Sequence, residues 1–308
     1  MQAETRSTQV NLRLQPALKE AAEKAAARDH RSLTSLIEKL LSDFLRTQPT
    51  LEDWHERAMA RFLGVVSDRK LSDQIRHGKM ARSYSIINHN GESLNPTSMI
   101  NILRSAYSDV GNTISNHHAF YIYTRPELQP YFTYDGNLER SKMSEILECA
   151  VTPPVASSLE LWRASPAGLV ADVRTLDEDD ERFSQLGLRP GKWFCPFFLT
   201  RNLAELVLHA HLFSRRFPVT EAVEFRCEWS GMQERELADP DSTFGHWERG
   251  HIARADHRVT IAQSQANDLG RTWPEVVSAL GGPVMRLFDP AFDYSPDWVR
   301  TQVDRLRR

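Results

Sequence analysis

From Gln9 to Leu14 the chain reads Gln-Val-Asn-Leu-Arg-Leu, a strict alternation of polar and apolar side chains that ends two residues before Pro16. Successive side chains of an extended strand point to opposite faces. The pattern therefore predicts a strand with Gln9, Asn11 and Arg13 on one side and Val10, Leu12 and Leu14 on the other. A single strand is not stable alone in water. Pairing it with a copy of itself, over a layer of helices, buries the apolar side, so a homodimer is expected. The polar side is then a reading surface. Gln and Asn can bond adenine through two atoms along the major-groove edge, Arg can do the same for guanine, and a two-stranded ribbon is narrow enough to enter that groove.

Pro16 suits the first turn of a helix, where its missing N–H would have no intrahelical partner. Helix A is expected to start there, with Leu18, Ala21, Ala22 and Ala25 at helical spacing and an alanine-rich run of high helix propensity. Asp29-His30-Arg31 breaks the pattern. Ser32 is a good N-cap for helix B, whose apolar positions are Leu36, Ile37, Leu40, Leu41 and Phe44.

This order of alternating strand, short helix, R-S-x-x-S turn and apolar second helix resembles the ribbon-helix-helix DNA-binding family, which includes the Arc and methionine repressors. The resemblance covers about the first 46 residues. It implies two chains pairing their strands into an antiparallel ribbon that enters the major groove, with Gln9, Asn11 and Arg13 contacting bases. It also implies that the start of helix B, at Ser32, Leu33 and Thr34, faces a DNA phosphate, in keeping with the attraction of helix N-termini for anions. The interhelix turn carries His30 where the family often has Gly, and His tolerates a left-handed backbone better than most residues. A strand and helical hairpin that only dimerises, or docks on the rest of the chain, is the plainer reading of the same pattern.

At 308 residues with 41% hydrophobic side chains, the chain can bury a sizeable core and hold two domains. No apolar run approaches the roughly 18 residues that a membrane helix requires, and Gln2 to Gln9 lacks the apolar centre of a signal peptide. A cytoplasmic protein with no membrane partner is expected. Cys149, Cys195 and Cys227 are too few and too far apart for a disulfide scaffold or a paired-cysteine zinc site. The net charge of −3 argues against a nucleic-acid binder until it is divided. Residues 1–48 carry eight Lys/Arg and six Asp/Glu, a net +2, and residues 49–308 carry thirty and thirty-five, a net −5. A small, weakly basic head on an acidic body fits the pattern.

The expected organisation is a ribbon-helix-helix domain over residues 1–48 (β-α-α, dimeric), a connecting helical segment over 51–79 and a larger α+β domain over 80–308. Thr47-Gln48-Pro49-Thr50 is the first linker. Trp54, Ala58, Arg61, Phe62 and Val65 predict an amphipathic helix from Leu51 to about Ser67, followed by a mixed segment. Strands are expected at Ala119–Thr124, Ser158–Ala164, Gly168–Thr175, Ala222–Trp229 and His257–Gln263. Helices are expected at Thr97–Ala106, Leu138–Cys149, Asn202–Phe217, Trp273–Leu280 and Pro296–Arg305, with a hairpin at Ser165-Pro166-Ala167. Strands in the middle with flanking helices and no regular βαβ rhythm favour α+β.

Catalytic residues, a metal site and a cofactor are not expected. His209 and His211 would lie on different sides of a helix and could not share a metal, and no His/Cys spacing matches structural zinc. Asp177-Glu178-Asp179-Asp180-Glu181 reads as a solvated acidic loop. The stretch from Gly187 to Lys192 reads as a turn, because it lacks the full spacing of a phosphate loop. Cys195, in the apolar run Trp193–Phe198, reads as a buried, inert thiol. Glu224 and Glu228 with Asp172 would suit either a carboxylate cluster or a solvent-facing sheet surface. Phe120, Tyr121, Tyr123, Tyr131, Phe132 and Tyr134 would suit a small-ligand pocket, although most are expected in the core.

The function expected from these readings is a sequence-specific DNA-binding transcriptional regulator, repressor-like, with a C-terminal domain for ligand sensing or assembly. Its partners would be double-stranded DNA, a second copy of itself and a small molecule. A DNA-associated effector enzyme, with a nuclease- or hydrolase-like C-terminal domain, and an antitoxin-type partner-binding protein are the alternatives.

Overall fold

The computed structural model describes residues 15–28, 31–37, 49–87, 94–114, 120, 128–134, 145–152, 159–238, 240 and 250–305. The chain divides into two compact units, Met1–Thr50 and Leu51–Arg308. In the first unit, α1 spans Pro16–Arg28 and opens on the proline as expected. Glu20 and Lys24 form an i,i+4 pair at 2.7 Å in the favourable order, Glu first. Arg28 occupies the last turn, where a cation complements the helix dipole. The Arg31 N–H then bonds back to the Ala26 carbonyl at 3.0 Å, closing the helix end. A second helix, α2, is described over residues 33–37. The expected strand before α1, His30, and Leu40, Leu41 and Phe44 lie outside the described residues.

The second unit is an α+β fold built on a seven-stranded sheet, all of whose pairings are antiparallel. Its strands are β1 (Lys79–Ile87), β2 (Tyr131–Tyr134), β3 (Glu145–Val151), β4 (Glu160–Ala164), β5 (Leu169–Thr175), β7 (Ala222–Ser230) and β9 (Arg258–Gln265), in the spatial order β2-β3-β4-β5-β1-β7-β9. Two further short strands, β6 (Trp193–Phe194) and β8 (Glu236–Leu237), pair in parallel beside it. The helices are α3 (Leu51–Asp68), α4 (Pro96–Gly111), α5 (Pro196–Ser214), α6 (Leu269–Met285) and α7 (Pro296–Arg305).

Both faces of the sheet are covered. On one, α3 lays Trp54, Ala58, Phe62, Val65 and Val66 over Ala81, Leu161, Ala171 and Val173. On the other, α4, α5, α6 and α7 pack over Met80, Tyr84, Trp162, Val170 and Phe225. Helix α5 is buried nearly all round, which explains its run of leucine, valine, alanine and phenylalanine.

The sequence expectations for β4, β5, β7, β9, the hairpin at Ser165–Ala167 and α7 are met to within two residues. Three differ. Glu145–Val151, read as the end of a helix, is strand β3, and residues 138–144 lie outside the described residues. The mixed segment after α3 contains β1, the strand between β5 and β7 that the sequence reading missed. Neither strand has an exposed residue, and most residues of both are buried, so the polar-apolar alternation of a half-exposed strand is missing. Finally, α5 and α6 start earlier than expected, at Pro196 and Leu269, because Pro196 opens the one helix and Pro274 lies inside the other. Of the strand expected at Ala119–Thr124, only Phe120 is described, and it lies in a turn with a left-handed backbone.

Where β7 leaves the sheet beside the start of β1, two backbones touch at Gly78 and Gly231. A Cβ on Gly231, whose φ is +75°, would lie 2.2 Å from the His77 carbonyl oxygen and 2.5 Å from the Gly78 Cα. Gly64, in the middle of α3, has open space at the same position. Gly231→Ala is therefore expected to lower the unfolding free energy by roughly 2–4 kcal/mol. Gly64→Ala is expected to raise it by roughly 0.5–1 kcal/mol. Urea unfolding of both variants measures the difference, and equal shifts would contradict the packing at Gly231.

Candidate functional site

In the first unit, the structure places Ser32, Leu33 and Thr34 at the mouth of α2. The Ser32 side chain is the cap: its Oγ accepts the Ser35 N–H at 3.1 Å, and its carbonyl accepts the Leu36 N–H at 2.9 Å. Ser32 and Thr34 are exposed and Leu33 is half-buried. The N–H groups that open a helix have no carbonyl a turn earlier to bond, so they point out past its start. Gln9, Asn11 and Arg13 lie outside the described residues.

The second unit holds two buried polar clusters, one on each face of the sheet. Under α5, Arg82 on β1 donates to Asp172 on β5 through Nε, at 3.0 Å, and through Nη2, and its Nη1 reaches the Asn202 carbonyl in the second turn of α5. Arg174, two residues along β5, lies 3.5 Å from Asp177 and 3.9 Å from Glu160 on β4. Asp177 also receives Arg201 at 2.6 Å and the Asn202 side-chain amide at 3.0 Å. Glu205 stands 3.8 Å from Arg201 and 3.9 Å from Arg82. Burial pushes the Glu160 carboxyl up to about 8 despite Arg174, with the negative charge of Asp172 adding to the rise. Burial acts in the same direction on Asp177, but Arg174 and Arg201 outweigh it and hold that carboxyl well below the usual range. The cluster therefore fastens the first half of α5 to β1, β4 and β5. Its charges are nearly inaccessible to solvent, which suits them to structure.

The acidic run Asp177–Glu181 is consequently not a solvated loop. Asp177 belongs to this cluster, and Glu178 is buried with its carboxylate accepting the Cys195 N–H at 3.0 Å. Burial, with the charge of Asp177, pushes Glu178 up to about 7. Asp179 receives Arg235 at 2.7 Å, and Asp180 caps the following 3-10 turn.

On the opposite face, α3 brings His55 to Ser83 on β1, with Nδ1 2.9 Å from Oγ, and to Glu228 on β7 at 3.4 Å. Burial lowers the His55 pKa, an effect that Glu228 opposes. Ser, His and a carboxylate in line suggest a nucleophile relay, but Ser83 and His55 are each 1% exposed, so no substrate reaches the hydroxyl. Nearby, Glu148 receives Arg61 at 2.9 Å and Arg163 at 3.0 Å, and Arg163 stacks over Trp54 at 5.1 Å.

The register also separates the carboxylates that the sequence reading grouped. Asp172 opposes Arg82 and faces α5, whereas Glu224 and Glu228 oppose Ser85 and Ala81 and face the α3 side. They form no cluster. The aromatics are split in the same way. Phe120 lies in the core beneath Tyr84 and His209, while Tyr131 on the α3 side donates to Glu148. Tyr121 and Tyr123 lie outside the described residues. His209 is buried in α5 and bonds the Tyr84 hydroxyl at 3.0 Å, and His257 meets Glu228 at 3.1 Å. Among the described residues no group of three or more His, Cys, Asp or Glu is placed to hold a metal. All three cysteines are free and buried, and burial pushes Cys149 and Cys227 up to about 12.

A groove of about 310 Å³ opens between β9 and α6, lined by Gln263, Ser264, Asp268, Thr272, Glu275 and Val276 among others. Among the described residues no helix is long and apolar enough to cross a membrane. The chain matches no protein family, no curated protein and no solved structure in the comparisons made.

Sequence reasoning did not single out the cluster under α5. Its trace was the pair of charges Asp172 and Arg174 on one face of the apolar strand Leu-Val-Ala-Asp-Val-Arg-Thr. Arg82→Ala, which leaves Asp172 buried without its guanidinium, is expected to cost roughly 3–5 kcal/mol in urea unfolding. A loss below about 1 kcal/mol would contradict the network. Glu160 binds its proton more tightly folded than unfolded, so its contribution is complete below about pH 4.5 and is lost as pH rises through about 8. Glu160→Gln is expected to flatten the decline in stability between those limits, measured by urea midpoints across pH. An unchanged pH profile would contradict a neutral Glu160.

Proposed function

We propose that this chain is a sequence-specific DNA-binding transcriptional regulator whose first unit reads the major groove as a dimeric β-ribbon. The second unit would sense a ligand or mediate assembly. What carries the reading is the start of α2: Ser32, placed by the sequence pattern as an N-cap, has its Oγ on the Ser35 N–H at 3.1 Å. Helix α1 opens on Pro16 directly after the alternating stretch, so a helix, a turn and a capped second helix follow it in the order the resemblance requires. The net +2 of residues 1–48 and the exposed α2 mouth favour a phosphate partner. In this reading Gln9, Asn11 and Arg13 of both copies contact bases, and Ser32, Leu33 and Thr34 anchor the backbone. The effector-enzyme alternative loses the carboxylate set on which it stood, since Asp172 and the two glutamates face away from each other.

Asn11→Ala or Arg13→Ala is expected to cost roughly 1–3 kcal/mol of discrimination at one base pair. Ser32→Ala is expected to weaken binding to all sequences alike. Gel-shift titrations at a fixed, stated salt concentration separate these effects. Unchanged sequence preference in the Asn11 and Arg13 variants would remove the base-reading role.

A further inference from the structure

Strand β9 ends the sheet: it pairs with β7 on one side, and among the described residues it has no strand on the other. Natural edge strands are usually short, charged, bulged or broken by proline, because an open edge recruits further strands. β9 spans Arg258–Gln265, has no proline, and from Val259 to Gln265 carries no charge. Ile261, at its centre, is 67% exposed, the highest value among the exposed large hydrophobic residues described. The groove against α6 runs along the same strand.

We propose that a second copy of this chain pairs its own β9 antiparallel to this one, joining the two sheets across a twofold axis at Ile261. Such an axis stands perpendicular to the sheet and keeps each side chain on its own face. Directly opposed residues must then be an even number of positions apart. Centring on Ile261 sets Ile261 against Ile261, Val259 against Gln263, Thr260 against Ala262 and Arg258 against Ser264. The two exposed isoleucines cover each other on the face away from α6.

Charge complementarity selects a second copy as the occupant. Arg258 at the start of β9 has a buried Nε with no hydrogen-bond partner, whereas the groove beyond the end of the strand holds Asp268 and Glu275, each shared with one exposed arginine, Arg271 at 3.0 Å and Arg300 at 2.9 Å. Antiparallel pairing sets Arg258 of each copy toward Asp268 and Glu275 of the other. Arg258 opposes Trp229 and so lies on the α6 side of the sheet, as does Ser264, whose Oγ is 3.2 Å from the Thr272 Oγ1 in the groove wall. The arginine of one copy therefore enters the groove of the other on the correct face.

The inference concerns the second unit and does not depend on DNA reading, because its test contains no DNA. Full-length Ile261→Cys and Gln263→Cys are each oxidised mildly and run on non-reducing gels. The native cysteines, free and buried, report little. Opposed Cα atoms in an antiparallel pair lie within disulfide reach, whereas a pair of Gln263 positions would be separated by about 14 Å along the strands. Ile261→Cys is expected to form a covalent dimer at least tenfold faster than Gln263→Cys. No dimer with Ile261→Cys, or equal rates for both, would overturn the proposal and leave the groove to an extended segment of another protein.

Discussion

Arg82 and Asp172 meet across β1 and β5 with no exposure to solvent, and the arginine reaches on to the α5 backbone at Asn202. Charges taken out of water at this depth are tolerated only when each finds an opposite partner in good geometry. That requirement binds three layers together. It fixes the register of β1 against β5 and sets the start of α5 over the sheet. It also draws the acidic run after β5 inward, where Asp177 answers Arg174 and Arg201. The rest of the unit follows from covering both faces. Once α5 and its neighbours occupy one side, α3 closes the other with Trp54, Ala58, Phe62 and Val65.

The parts legible in the sequence were those with one face in water or a distinct end signal. β7 alternates between buried and half-buried residues, α7 begins at Pro296, and the β4–β5 turn carries Ser165-Pro166. β1 and β3 were not legible, because residues on both faces are buried and the period of two disappears. In β3 the charges Glu145 and Glu148 stand three positions apart, and Glu148 is hidden against Arg61 and Arg163, so the pair imitated the polar face of a helix. The acidic run misled for a related reason. Five adjacent carboxylates read as solvated, yet Asp177 and Asp179 meet arginines up to 56 positions away, Arg201 and Arg235, and only tertiary structure brings these together. At the head, the Ser32 cap was legible because capping is a local interaction three residues long.

The two units divide the work on this account. A small, weakly basic head carries the side chains suited to base edges. The larger unit is a doubly covered sheet whose charged clusters are largely buried between its layers, and among its described residues it has an open edge strand with a groove beside it. An unguarded edge suits assembly. A regulator that binds repeated half-sites gains affinity from each added copy, because the second binding event becomes intramolecular. In the proposed reading, a head with a net charge of only +2 would benefit from such a gain.

The most direct test of the DNA-reading assignment is selection from a pool of genomic fragments by the purified full-length chain. It is run beside a variant with Gln9, Asn11 and Arg13 all replaced by alanine, at one stated salt concentration. The account predicts that the unaltered chain enriches one repeated or palindromic motif and that the variant enriches none. Equal enrichment by both, or none by either, would contradict it.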